Sequence, residues 1–419
     1  MLRSLAFSFL LLPLGLTDLA AQDAPGSAEE DRDAMLRQLV ARVESLEAEV
    51  RQLRAEKKAE KSERPPESKK EMASMTDSLL EMDSKNPEPA AAQETYPNLK
   101  IRGFGDVDYH WADRGADKNA FLLGQLDLFL TSQLAEDLSV LDENVIEADE
   151  DNHFGFEIER LMLQWTPRDY FNVAVGRYHS AIGYYNNAYH HGTWLQTAVG
   201  RPGIFNFEDD GGILAIHNVG VSISGAVPSG RLGLHYVAEV GNGRNYNPGQ
   251  EPVQNISDNN DFKAVNLVVF ARPDRLPGLQ VGGSAYFDRV NIELMPTVDQ
   301  TVLSAYAVYV SPAFEWLNEG VLLHDSSSLG MFDTYGFYTQ IARQFGNFRP
   351  YARYQVLDAD REDPVLDSAG SPGFNQTFTL GLRYNFSEFA AFKLQGDHTF
   401  SADDDNPRNE MTLQVSFTF

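Results

Sequence analysis

The chain has 419 residues, no cysteine and a formal net charge of −27. Without thiols it has neither a disulfide framework nor a thiolate metal site, and no basic patch competes with the acidic field, which argues against nucleic acid as a partner. Beyond the N-terminal leader no uncharged apolar run is long enough for a spanning helix, so any membrane span has to be built from strands.

In chain order, Arg3 precedes an apolar run from Leu5 to Leu16, and small residues follow at Ala20 and Ala21. This is the layout of a signal peptide over 1–21, with cleavage before Gln22 and, as the alternative, after Ala20. Next, Leu36, Leu39, Val43, Leu46, Val50 and Leu53 fall three and four residues apart. That a/d seam predicts a coiled-coil helix within 22–58. Fewer than three heptads are marginal alone. Parallel association with other copies, held together by a shared barrel, buries the seam; a lone amphipathic helix on a surface is the alternative. Residues 59–95 are rich in Lys, Glu, Ser, Pro and Ala, a composition that predicts a flexible linker.

From Tyr96 onward the pattern is a meander. Strands are expected at 98–109, 121–132, 138–149, 154–166, 170–179, 211–224, 231–241 and 261–272. The second half continues at 279–290, 300–311, 314–325, 333–346, 348–359, 374–386, 389–400 and 409–419. Long gaps follow odd strands (110–120, 180–210, 242–260, 360–373) and tight ones follow even strands, as at Pro167-Arg168-Asp169 and Ser387-Glu388. Short turns on one side and long loops on the other, with an even strand count, describe an antiparallel transmembrane β-barrel of about sixteen strands; fourteen or eighteen also fit. The fold class is therefore all-β, a barrel over 96–419 preceded by a short helical coiled coil.

Period-two alternation assigns the faces. Phe378, Leu380, Leu382, Tyr384 and Phe386 face lipid, while Thr377, Thr379, Gly381, Arg383 and Asn385 face inward. The inward sets on neighbouring strands are Arg349, Tyr351, Arg353 and Gln355, then Lys393, Gln395, Asp397 and Thr399. The first strand contributes Lys100, Arg102, Phe104, Asp106 and Asp108. An interior this polar requires water, hence an aqueous channel. In 154–166 the apolar parity switches between Ile158 and Leu161, which predicts a bulge at Glu159-Arg160. The last strand, Met411 to Phe419, is apolar at every odd position. Its terminal Phe419 resembles the signature that directs bacterial outer-membrane barrels into their membrane, which makes it the expected assembly signal.

One passage is distinctive. Val175-Gly176-Arg177-Tyr178-His179 leads into Gly183-Tyr184-Tyr185-Asn186 and then Tyr189-His190-His191-Gly192-Thr193-Trp194. It closes on Phe207-Glu208-Asp209-Asp210-Gly211-Gly212. A strand running through Gly-Arg-Tyr into a long aromatic third loop resembles trimeric bacterial porins, especially the phosphate-selective porin superfamily, over roughly 96–419. The resemblance implies a third loop folded into the lumen, a homotrimer, and an outer-membrane location with the N-terminal segment in the periplasm. It also implies lipid and lipopolysaccharide as surroundings, and passage of small hydrophilic solutes or ions. Members with an added coiled coil match Leu36 to Leu53. No dense Arg ladder with a Lys-rich loop is present, so phosphate selectivity is not implied.

On this reading the pore residues are Glu208, Asp209 and Asp210 on the loop, opposite a basic arc of Lys100, Arg102, Arg349, Arg353, Arg383 and Lys393. Opposed charge across a constriction sorts ions. Local pairing without a selectivity role is the plainer alternative. Tyr184, Tyr185, His190, His191 and Trp194 are expected to anchor the loop. Adjacent His190 and His191 point apart in an extended chain and make a poor chelate, and no ligand follows at zinc-site spacing. No nucleophile motif and no phosphate-binding glycine loop occurs. No cofactor, metal or catalytic residue is expected, so the chain is read as a non-enzyme. Three classes remain open: a passive porin, a structural or adhesive barrel tethered to periplasmic partners, and an outer-membrane enzyme.

Overall fold

The computed structural model describes residues 96–419 apart from 115–118, 149–152, 190–191, 209–210, 246–254, 293, 369–372 and 403–405. The signal peptide, the heptad helix from Leu36 to Leu53 and the linker lie outside the described residues.

The strands are β1 (Asn98–Ala112), β2 (Ala120–Ala135), β3 (Leu138–Ala148), β4 (Phe154–Arg168), β5 (Phe171–His179) and β6 (His217–Val227). There follow β7 (Leu234–Gly241), β8 (Ala264–Ala271), β9 (Leu279–Val290), β10 (Val298–Val310) and β11 (Phe314–Ser327). The chain ends with β12 (Gly330–Arg343), β13 (Phe348–Asp358), β14 (Phe374–Asn385), β15 (Ala390–Ser401) and β16 (Arg408–Thr418). Each pairs antiparallel with its sequence neighbour, and β1 pairs with β16 to close a barrel. No helix among the described residues is long and apolar enough to cross a membrane. The strands meet that demand because closure leaves no free edge at the ends of the sheet.

Alternation builds the two faces. Leu380 is 70 % exposed, and Phe378, Leu382 and Phe386 are exposed with it on the outside of β14, while Thr379 and Arg383 are buried inside. Tyr351, Arg353, Lys393, Gln395, Phe104 and Asp106 are buried on the inward registers of β13, β15 and β1. Outward aromatics gather near the tight-turn end: Trp165, Phe171, Trp316, Phe348, Phe386 and Phe389 are all exposed. Such a girdle belongs at a lipid–water boundary.

The closing seam is tight. The Phe419 amide donates to the Gly103 carbonyl and the Gly103 amide to the Phe419 carbonyl, both at 3.0 Å. The Phe419 ring lies over Gly103, where a Cβ would sit 2.2 Å from it.

Three local features refine the reading of the sequence. Glu143 pairs with Arg160 and Asn144 with Ile158, so Glu159 is the extra residue of a bulge, where the parity switch places it. β6 begins at His217 rather than 211, because Ile213, Leu214, Ala215 and Ile216 are pulled off the wall into a buried apolar cluster. The connection after β11 is tight, residues 328–329, although it follows an odd strand.

That apolar cluster lies inside the barrel. It joins Ile182, Tyr185, Ile204, Phe205 and Ile213–Ile216 to wall residues such as Val268, Val302, Leu317, Leu323 and Tyr338. The interior is thus not polar all round. The wall from β7 to β13 offers an apolar floor, whereas β13 to β16 and β1 are polar, as their sequences predict.

Candidate functional site: the lumen loop and the fork at its base

Residues 180–216 connect β5 to β6, and their described parts run along the inner wall. The loop starts with Ala181, whose amide donates to Glu239 Oε2 on β7 at 3.0 Å. A short helix, α1 (Tyr185–Ala188), follows. Glu319 on β11 accepts from the amides of Tyr184 and Tyr185, and from the Tyr338 hydroxyl at 2.6 Å. The Tyr185 ring stacks on Phe205 and meets Tyr338 edge-on. Glu315 accepts from Thr197 Oγ1 at 2.9 Å and Tyr189 Oη at 3.3 Å.

The far stretch of the loop is held by the basic arc. Lys393 Nζ donates to the carbonyls of Thr193 at 2.7 Å and Ala198 at 3.3 Å. Arg383 Nη1 donates to those of Trp194 at 2.7 Å and Gln196 at 2.9 Å, with its guanidinium over the Trp194 ring. Arg353 Nη2 reaches the Gly200 carbonyl at 3.1 Å, and Arg349 Nη1 reaches Thr197 Oγ1 at 3.4 Å. Gln395 pairs with Val199 in both directions, as a strand neighbour would. Thr193 Oγ1 donates to Asp106 Oδ1 on β1 at 3.0 Å. The arc therefore satisfies backbone carbonyls of a segment without a ladder of its own, which a buried loop needs.

The expected acidic partner is elsewhere. Glu208 is buried, and its carboxylate takes up the His217 amide at 3.0 Å, His217 Nδ1 at 3.2 Å and Asn255 Nδ2 at 2.9 Å. Burial alone would raise this carboxyl, but the His217 contacts outweigh it and hold it below its ordinary value. Asp209, Asp210, His190 and His191 lie outside the described residues. On the inward register of β1, Lys100 is exposed and Arg102 half-buried.

A second cluster sits where the loop leaves the wall. β4 and β5 pair only as far as Leu161↔Arg177, whereas β5 and β6 continue to His179↔His217. Above that level β4 pairs with β3 alone, and a fork opens. Gly176 marks the split: its φ is +139°, and a Cβ there would meet the Leu161 carbonyl oxygen at 1.9 Å. The fork is filled by buried ionisable groups. Arg160 bonds Glu143, His217 Nε2 contacts Glu159 Oε2, and His179 Nε2 lies 3.7 Å from Glu143 Oε2. Arg177 Nε donates to the Glu159 carbonyl at 3.0 Å. The rings of His179 and His217 stand 5.4 Å apart, edge to face. Ligand atoms of Glu159, His179 and His217 lie within 4.8 Å of one another.

Sequence reasoning does not find Glu239, Glu315, Glu319 or the fork. The wall acids carry an alternation signal no different from that of any inward polar residue. The fork had half a signal, the bulge at Glu159, but its histidines are far apart in sequence.

No known protein family and no curated protein matches the sequence. Solved structures do. The outer-membrane channel DcaP of Acinetobacter baumannii superposes with a TM-score of 0.55 at 11 % identity, over 78 % of this chain and 100 % of that one. An anion-selective porin from Comamonas acidovorans gives 0.55 at 13 %, over 77 % and 99 %. The in-vitro folded trimer form of OmpT, an outer-membrane protein of Vibrio cholerae, gives 0.51 at 10 %, over 78 % and 100 %. The fold is thus the sixteen-strand barrel of these outer-membrane proteins.

Proposed function

We propose that the protein is an outer-membrane porin, a water-filled channel for passive diffusion of small hydrophilic solutes or ions. The carrying observation is a closed barrel of sixteen strands whose fifth-to-sixth connection is built into the lumen and bonded to the wall. Such a loop narrows a passage without sealing it. Inward residues that stay partly exposed support a water path beside it: Arg102, Asp108 and His110 on β1, and Asp397 and Thr399 on β15. The barrel is taken to sit in the outer membrane as a homotrimer, with the N-terminal segment in the periplasm.

Selectivity follows from the charge around this path. The Arg353 and Arg383 guanidinium groups are buried against the loop and bond neutral oxygens, so their positive field is not cancelled at contact and favours anions. Single-channel recording in planar bilayers tests both claims. The wild type is expected to conduct in steps of three. Neutralising Arg353 and Arg383 shifts the reversal potential under a salt gradient toward cations, and neutralising Asp209 and Asp210 shifts it toward anions. Neutralising Asp403 and Asp404, which the sequence places in an acidic loop run, is expected to matter only at low salt, because screening cuts the field of a solvated charge off within about 10 Å at 0.1 M. A folded wild type that never conducts would overturn the channel reading.

A further inference from the structure

We infer that the fork at the base of the lumen loop is a transition-metal site, with Glu159, His179 and His217 as ligands and Zn2+ the ion it fits best.

Geometry comes first. The three ligand atoms already lie within 4.8 Å of one another. Small side-chain rotations bring all three onto one ion at about 2.0–2.2 Å. Two imidazoles and one carboxylate form a donor set that zinc takes with an open fourth position. His179 and His217 face each other in register on neighbouring strands, so their spacing is fixed by backbone rather than by rotamers. Glu159 is delivered by the bulge, which lets it and Arg160 both be buried although they are adjacent. Bulges re-aim side chains in this way beside functional sites.

The surroundings agree. Glu208 binds His217 Nδ1, so the ring turns Nε2 toward Glu159, the carboxylate ligand. This is the carboxylate–histidine arrangement that orients metal-bound imidazoles, and Asn255 in turn holds Glu208. Charge provides an independent pointer. Asp127 is wholly buried, neither of its carboxylate oxygens has a hydrogen-bond partner among the described residues, and it feels the charges of Glu143, Glu159 and Arg160. With Glu143, Glu159 and Glu208, this places four buried carboxyl groups beside the two guanidinium groups of Arg160 and Arg177, an oxygen-rich and water-poor surround that suits a divalent cation. The ion would tie β4 to both ends of the lumen loop at once.

The test uses the full chain, folded in detergent and stripped with a chelator, and it is independent of conduction. Zn2+ titration by calorimetry should give one site per chain, and Zn2+ should raise the melting temperature above that in chelator. Co2+ should give the visible d–d bands of a nitrogen- and oxygen-bound low-symmetry site. The variant His179→Gln/His217→Gln should lose this binding while still showing the heat-modifiable mobility of a folded barrel. Glu208→Gln should keep the ligands and weaken affinity by about 10–100-fold. Changing the exposed His324 to Gln should alter nothing. If the double variant does not fold, Glu208→Gln and the Co2+ spectrum of the wild type decide. A folded wild type that binds no Zn2+ overturns the proposal. So does Zn2+ binding that Glu208→Gln and the double variant leave unchanged.

Discussion

At the scale of single residues, Gly176 controls more than its size suggests. Only glycine reaches φ near +139° without strain, and only an α-carbon without a Cβ lets the Leu161 carbonyl approach so closely. Gly176→Ala is expected to destabilise the barrel by about 1–3 kcal/mol, as a strained backbone position does. The loss should appear as a lower melting temperature and a lower folded fraction on unheated gels; an unchanged barrel would mean the fork relaxes freely. Phe419 is a second such residue. Both of its backbone groups bond Gly103, so its deletion should lower the folded yield in the membrane while leaving conductance per inserted channel unchanged. Alternation along the last strand makes Phe419 legible in the sequence. Gly176 is not, because a glycine in a strand pattern gives no hint of which neighbour will crowd it.

Among the elements, the lumen loop is the one whose packing departs from what its sequence suggests. Its aromatics read as anchors, and Tyr185 and Trp194 do meet the wall, through Tyr338 and Arg383. What the sequence does not reveal is the partner surface. Inward apolar residues such as Val268, Val302, Leu317 and Tyr338 stand among inward polar ones on the same wall, so alternation gives the face but not which inward positions the loop covers. The basic arc is the converse case. Its residues are visible as inward cations, yet Arg353, Arg383 and Lys393 bond backbone carbonyls of the loop, which carry no sequence signature. Phe205 is wholly buried at the centre of this packing. Phe205→Ala should cost about 3–5 kcal/mol of local packing. The loop should then move, giving a larger and noisier single-channel conductance with unchanged barrel melting. Conductance equal to that of the wild type would show that the loop does not limit flow.

For the whole molecule, strand number, order and closure follow almost entirely from period-two alternation and from the sorting of long and short connections. They are legible because lipid enforces a strict outer face on every strand. The heptad spacing from Leu36 to Leu53 belongs to the same scale, since on the proposed reading its seam serves chains that are held together. Removing residues 22–95 should leave a trimer that melts at a lower temperature, by light scattering and crosslinking during a thermal ramp. A monomeric full-length protein in mild detergent would contradict the trimer outright.

The fork between β4 and β5 has a mechanical consequence. Above Leu161↔Arg177 the β5–β6 pair has left the β4 ladder, and the β6–β7 ladder begins only at Gly220↔Gly241, so its last residues are a cantilever rather than a stave. A push on the loop, from a passing solute or an applied voltage, is shared between its bonds to the far wall and, on the near side, the hairpin's root at Gly176 with whatever bridges the fork. Stiffness of the constriction is therefore set in the wall, at a joint away from the aperture itself.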